Sequence, residues 1–221
     1  NPPMDTSLNP VQLLAVAALP LLFAITVHEV AHGWVAKRLG DPTAMMLGRL
    51  TLNPIKHIDP IGTLVVPVFV LLSTGFIFGW AKPVPITWEN LRNPKRDMAM
   101  VAAAGPLSNL VMAVFWALVA KLALTSAAAM PWAAQPLILM GQLGVIFNLV
   151  LMVLNLLPVP PLDGSRVVAA ALPSRMAYYY GRIEPFGLLV IILLLISGLF
   201  GRIVGPPVFF LERTIYAAFG L

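Results

Sequence analysis

Residues Val11 to Val35 read VQLLAVAALPLLFAITVHEVAHGWV. The stretch is long enough to cross a bilayer, since about 20 apolar residues in a helix cover the roughly 30 Å hydrocarbon core. Yet it carries His28, Glu29 and His32. Ionisable side chains are costly at that depth. They persist where they face the inside of a bundle or a polar cavity, and they usually act there. This one run therefore sets the fold class: helices packed in a membrane around a polar site. No basic segment precedes the run and no small-residue cleavage site follows it, so it reads as a retained helix and not a signal peptide. Lys37-Arg38-Leu39-Gly40-Asp41-Pro42 ends it, with Gly and Pro as stop signals. Asn1-Pro2-Pro3 does not look like a translation start, so the chain is expected to be trimmed there.

The rest of the chain agrees. Further apolar runs cover Ile61 to Gly79, Met98 to about Ala120, Leu137 to Leu157 and Phe186 to Phe200. Val208 to Leu221, with Glu212 and Arg213, reads as a short span or an interfacial helix. Hydrophobic residues make up 59% of the 221, charged residues 10%, and the mean hydropathy is +0.89. A soluble domain runs near roughly 45–50% apolar and about 25% charged, so a soluble globular enzyme and a disordered chain are both excluded. The net charge of +5 is read as Lys and Arg holding loops on the cytoplasmic side, not as a nucleic-acid surface. Cysteine is absent, which excludes disulfides and thiolate metal sites. The expected fold is an all-α polytopic transmembrane helix bundle of about four to six spans. A re-entrant or short β-containing segment is expected near the active site. One integral-membrane domain is expected over residues 1–221, with its core at about 10–175 and C-terminal helices at about 183–221.

His28-Glu29-Val30-Ala31-His32 has the spacing H-E-x-x-H. Histidines at i and i+4 lie on one helix face, one turn apart, and can share one Zn²⁺. Glu29 beside them can take a proton from water and pass it to a leaving amine. A catalytic zinc takes three protein ligands and keeps one position open. Glu89 lies in a Pro-rich connector. Asp163 is the better third ligand, in Asn155-Leu156-Leu157-Pro158-Val159-Pro160-Pro161-Leu162-Asp163-Gly164. The prolines end a membrane helix, and the broken backbone needs cover from protein or a water-filled cavity. A capping aspartate at an interfacial turn is the plainer reading of the same residue. Asn109 and Asn155 are amides in apolar helices. They serve either oxyanion stabilisation and substrate binding or interhelical hydrogen bonding. His57 reads as a loop histidine, and Trp80, Trp88 and Trp132 as interfacial anchors.

His28-Glu29-Val30-Ala31-His32, together with Asn-x-x-Pro-x-Pro-x-x-Asp-Gly at 155–164, resembles the site-2 protease family of intramembrane zinc metalloproteases. Ala104-Gly105-Pro106-Leu107-Ser108-Asn109 resembles that family's small-residue motif, and residues 48–60 are similar to its compact bacterial and archaeal members. The resemblance spans roughly residues 20–175. It implies peptide-bond hydrolysis within the membrane, His28, His32 and Asp163 as ligands of one zinc per chain, and Glu29 as the base. The expected form is a compact one, without the PDZ insertion that some members carry and with no appended nucleotide-sensing domain. The expected substrate is a membrane protein with a transmembrane helix, met in the lipid bilayer and without nucleic acid. The expected location is a prokaryotic cytoplasmic membrane, crossed several times.

Ligand depth constrains the topology. If all four early runs crossed the membrane, the first and fourth would be antiparallel, and Asp163 would end on the far side from His28 and His32. The basic connectors 37–60 and 80–97 would also fall on opposite faces, against the positive-inside bias. A re-entrant 61–79 removes both conflicts and puts the site toward the cytoplasmic face. It could also offer a strand edge to an unwound substrate. Two alternatives remain at this level: a metal-ion transporter with a site at a broken helix, and a non-catalytic scaffold holding a structural zinc.

Overall fold

The computed structural model describes residues 10–66 and 81–221. The segment expected to be re-entrant or β-containing falls, from residue 67 onward, outside the described residues, as does Trp80. The main helices are α1 (Pro10–Leu39), α2 (Thr43–Met46), α3 (Pro94–Thr125), α4 (Pro131–Asn155), α5 (Asp163–Ala171), α6 (Ser174–Gly181), α7 (Gly187–Ile196) and α8 (Leu199–Phe219). No strand occurs among the described residues, so the expected all-α bundle is what forms. Among the described residues, four stretches are long and apolar enough to cross a membrane: Leu14–Leu39, Pro94–Thr125, Pro131–Asn155 and Ser174–Ile196. The last begins earlier than the run Phe186 to Phe200, because α6 and the single turn Glu184–Phe186 carry helical backbone into α7.

The helix ends follow local chemistry. Pro94 and Pro131 open α3 and α4, where a missing N–H costs nothing. Asp97 takes back the Asn93 N–H at 2.8 Å at the start of α3. Lys37 and Arg38 lie in the last turn of α1, where the helix dipole favours cations. The core lies between α3 and α4, with Ala113, Trp116 and Ala117 against Val145 and Leu149, closed by Ile215 of α8. Small residues let these backbones approach closely, which is how helices associate where lipid offers no hydrophobic drive. The α1 helix lies along both α3 and α4, and α5 packs on α3.

The connector between α1 and α3 leaves and returns at one end of the bundle. Arg92 N–H donates to Leu39 O at 3.1 Å, and Lys82 N–H to His57 O at 2.9 Å. Thus α3 starts where α1 stops and runs back along it, and α4 runs parallel to α1. Asp41 pins the returning segment of the connector. Its buried carboxylate accepts from the Thr43 hydroxyl and from the N–H of Thr43 at 3.0 Å and of Thr87 at 2.7 Å. The Asn90 amide donates to it at 3.0 Å. Arg49 adds a bond to Lys82 O at 2.9 Å. Residues 81–92 therefore form a fixed wall beside the second half of α1.

Candidate metal centre

Parallel α1 and α4 bring the C-terminal end of α4 beside the second half of α1, and with it the residues the sequence singled out. His28 and His32 stand one turn apart on α1, with their Nε2 atoms 3.1 Å from each other. Asp163 opens α5 just beyond α4, and its Oδ2 lies 3.2 Å from His28 Nε2 and 3.3 Å from His32 Nε2. Both histidines are buried.

The outer bonds of the rings decide what these atoms offer. His32 Nδ1 lies 2.7 Å from Val101 O, a carbonyl that can only accept, so Nδ1 carries the proton. His28 Nδ1 lies 2.6 Å from Asn109 Oδ1. The Asn109 amide nitrogen donates to Ala24 O at 3.1 Å and to Asn148 Oδ1 at 2.9 Å, so its Oδ1 is an acceptor and His28 takes the same tautomer. Each Nε2 is left with a lone pair. Asp163 Oδ2 is buried and has no hydrogen-bond partner. Three acceptors thus converge on one point, an arrangement that only a cation or a proton relieves. Tetrahedral zinc with bonds of about 2.0–2.1 Å would set its ligand atoms about 3.3 Å apart. The residues fit the ion. Among the described residues, His28, His32 and Asp163 are the group placed to hold a metal.

Two glycines make the convergence possible. A Cβ on Gly105 of α3 would lie 2.5 Å from His32 Nε2 and 2.6 Å from His28 Cε1. A Cβ on Gly164 would lie 2.2 Å from Leu156 O, so only glycine lets α5 tuck under the end of α4 and present Asp163.

Glu29 borders the same cavity, of about 660 Å³, and its Oε2 accepts the Val84 N–H at 2.8 Å. Asn155 also lines that cavity, with its amide nitrogen on Leu151 O at 3.0 Å. Asn109 does not line it. It is fully buried behind His28, as a support of that ring. Glu89 is exposed in the turn Trp88–Asn90 and apart from the ligand group. His57 is buried, and its Nε2–H donates to Thr51 O at 2.9 Å, away from the cavity. Trp88, expected as an anchor, lines the cavity, whereas Trp132 is exposed at the start of α4.

Sequence reading missed Val101 O, Asn148 and the steric role of Gly105. Asn148 carried the signal that flagged Asn109, an amide inside an apolar helix. The Val101 carbonyl carried none, because every residue has one.

The chain is 37% identical over 202 residues to "Putative zinc metalloprotease YwhC" of Bacillus subtilis, covering 89% of this chain and 87% of that protein. It is 31% identical over 182 residues to "Putative zinc metalloprotease Rip2" of Mycolicibacterium smegmatis, covering 82% of this chain and 66% of the relative. Rip2 of Mycobacterium tuberculosis is 27% identical over 176 residues, with 80% and 64% covered. No family model matches the chain, and no solved structure matches it.

Proposed function

The chain belongs to the zinc metalloprotease family of these relatives, and on that premise we propose that it is a zinc-dependent intramembrane endopeptidase of the site-2 protease kind. The observation that carries this reading is the meeting of His28 Nε2, His32 Nε2 and Asp163 Oδ2 beside Glu29, among helices apolar enough to lie in a bilayer. His28, His32 and Asp163 would hold one zinc. When bound, zinc supplies a Lewis acid that polarises a carbonyl and activates water. Glu29 takes the proton of the attacking water and delivers it to the leaving amine. Asn109 and the Val101 carbonyl keep both Nε2 lone pairs aimed at one point. Asn155 uses one amide hydrogen on Leu151 and has another for a substrate carbonyl.

The substrate is a membrane protein whose transmembrane helix unwinds locally, because a helix shields its carbonyls in hydrogen bonds. The chain acts as one multi-pass domain over residues 1–221, with the basic connectors and the site toward the cytoplasmic face. In this reading Glu29→Gln retains one zinc and loses cleavage of a membrane-embedded peptide in proteoliposomes. Asp163→Ala loses zinc and cleavage together, and Glu89→Ala keeps both. Full activity in Glu29→Gln would refute the mechanism. Zinc retained in Asp163→Ala but lost in Glu89→Ala would refute the ligand set.

A further inference from the structure

The wall of the cavity carries three carboxylates, Glu29, Asp163 and Glu184, but among the described residues one permanent cation, Arg166. Residues 67–80 contain no charged side chain. The remainder of the lining is largely apolar, including Ile25, Leu151 and Ile191. Arg166 stands three residues after Asp163 on α5, so the two share a helix face about 5–6 Å apart. The reaction proposed above uses Glu29 and Asp163 and leaves Arg166 without a task.

Its surroundings hold it loosely and keep it ready. The guanidinium carbon lies 5.1 Å from the centre of the Trp88 ring, on the wall that Asp41 and Arg49 fix. Arg166 Nη2 is 3.9 Å from Glu184 Oε1, too far for a hydrogen bond, with the two side chains 33% and 52% exposed. No hydrogen bond ties the guanidinium to any described residue. Ion pairs this exposed contribute little. Trp88 lies against the guanidinium while the fork of N–H donors stays unspent, and that fork matches a carboxylate.

We propose that Arg166 is the specificity-determining residue of the cleft: it takes an Asp or Glu side chain of the substrate in place of Glu184. This rests on the protease reading. An unwound peptide rises about 3.3 Å per residue and alternates its side chains. One helical turn from Asp163 therefore corresponds to a substrate residue about two positions from the scissile bond. Among otherwise apolar segments, the enzyme selects those with an acidic residue at that distance, where a transmembrane stretch meets its polar flank.

The test uses the zinc-loaded full chain in zwitterionic liposomes, which supply no competing anionic lipid. The substrates are single-span peptides with Asp, Asn or Lys at each of three positions on both sides of the cleavage point. The expected result is a kcat/KM about 10-fold or more higher for Asp than for Lys at one position about two residues from the cut. Arg166→Gln removes that preference while keeping cleavage of the Asn peptides, and Arg166→Glu reverses it. Glu184→Gln, which frees Arg166 without touching it, strengthens the Asp preference, and this arm stands even if the Arg166 variants do not fold. A flat scan with the unsubstituted enzyme would overturn the inference, as would an equal loss on all peptides in Arg166→Gln or an unchanged preference in Glu184→Gln. Failure of the zinc-loaded chain to cut any peptide would instead overturn the protease reading itself.

Discussion

Replacing Gly105 with alanine should weaken zinc binding without unfolding the bundle. The added Cβ would sit 2.5 Å from His32 Nε2, about 0.9 Å short of the 3.4 Å at which ordinary contact begins. Neither imidazole can simply retreat. His28 Nδ1 is held at 2.6 Å by Asn109 and His32 Nδ1 at 2.7 Å by Val101 O. Letting go of either bond strands a buried polar group, at about 1–3 kcal/mol. Moving α1 away from α3 instead is overpacking, again about 1–3 kcal/mol. By either route one Nε2 leaves the point where three ligand atoms meet. Zinc affinity should fall about 10- to 100-fold, the range seen when the outer support of a ligating histidine is lost. Competition with a chelator of known affinity measures this, and circular dichroism reports whether helix content is kept. Gly181→Ala is the control, because nothing lies within 4 Å of a Cβ there. Zinc binding by Gly105→Ala within twofold of the unsubstituted chain would show that the rings are free to shift, and the account of a sterically enforced cradle would be wrong.

Two further outcomes test the frame around the site. Burial disfavours the Asp41 charge, but donors from Thr43, Asn90 and Thr87 outweigh it and hold the carboxyl below its ordinary value of 3.8. The unfolded chain then takes up the proton first as pH falls. The stabilisation is complete above about pH 5 and fades as pH drops through the folded value. Unfolding in detergent between neutral and acid pH should show a shallower acid loss in Asp41→Asn, whose stability at neutral pH is lower by about 1–3 kcal/mol. An unaltered acid limb would remove Asp41 as the pin of the connector. Single cysteines are easily introduced because the chain has none. Lys56→Cys and Arg92→Cys should react with a membrane-impermeant thiol reagent from one side, and Ser126→Cys from the other. Opposite labelling of positions 56 and 92 would contradict the return of the connector seen in the His57–Lys82 and Leu39–Arg92 bonds.

The sequence by itself determined the solvent, the helix class and the chemistry on offer. Polar residues inside an apolar run are too costly to be accidental, and H-E-x-x-H places two imidazoles on one face by helical period alone. Asp163 was legible as a candidate because prolines broke a helix just ahead of it, but nothing local told a ligand from a cap. Whether Asp163 met His28 and His32 depended on whether α1 and α4 ran parallel. That turned on the path of residues 40–92, a matter of long-range pairing with no local signature. Ligand depth and connector charge point to the same parallel arrangement of the first and fourth runs. Only the tertiary structure decided the rest. It set Asn109 behind a ring instead of in the cavity, made the Val101 carbonyl fix a tautomer, left Asp163 Oδ2 buried without a partner, and placed Trp88 and Arg166 across one cleft. The physical reason is the same in each case. Composition and period report which face of a helix a residue occupies, whereas its partner is set by how helices distant in sequence approach, and glycines such as Gly105 set how close they come.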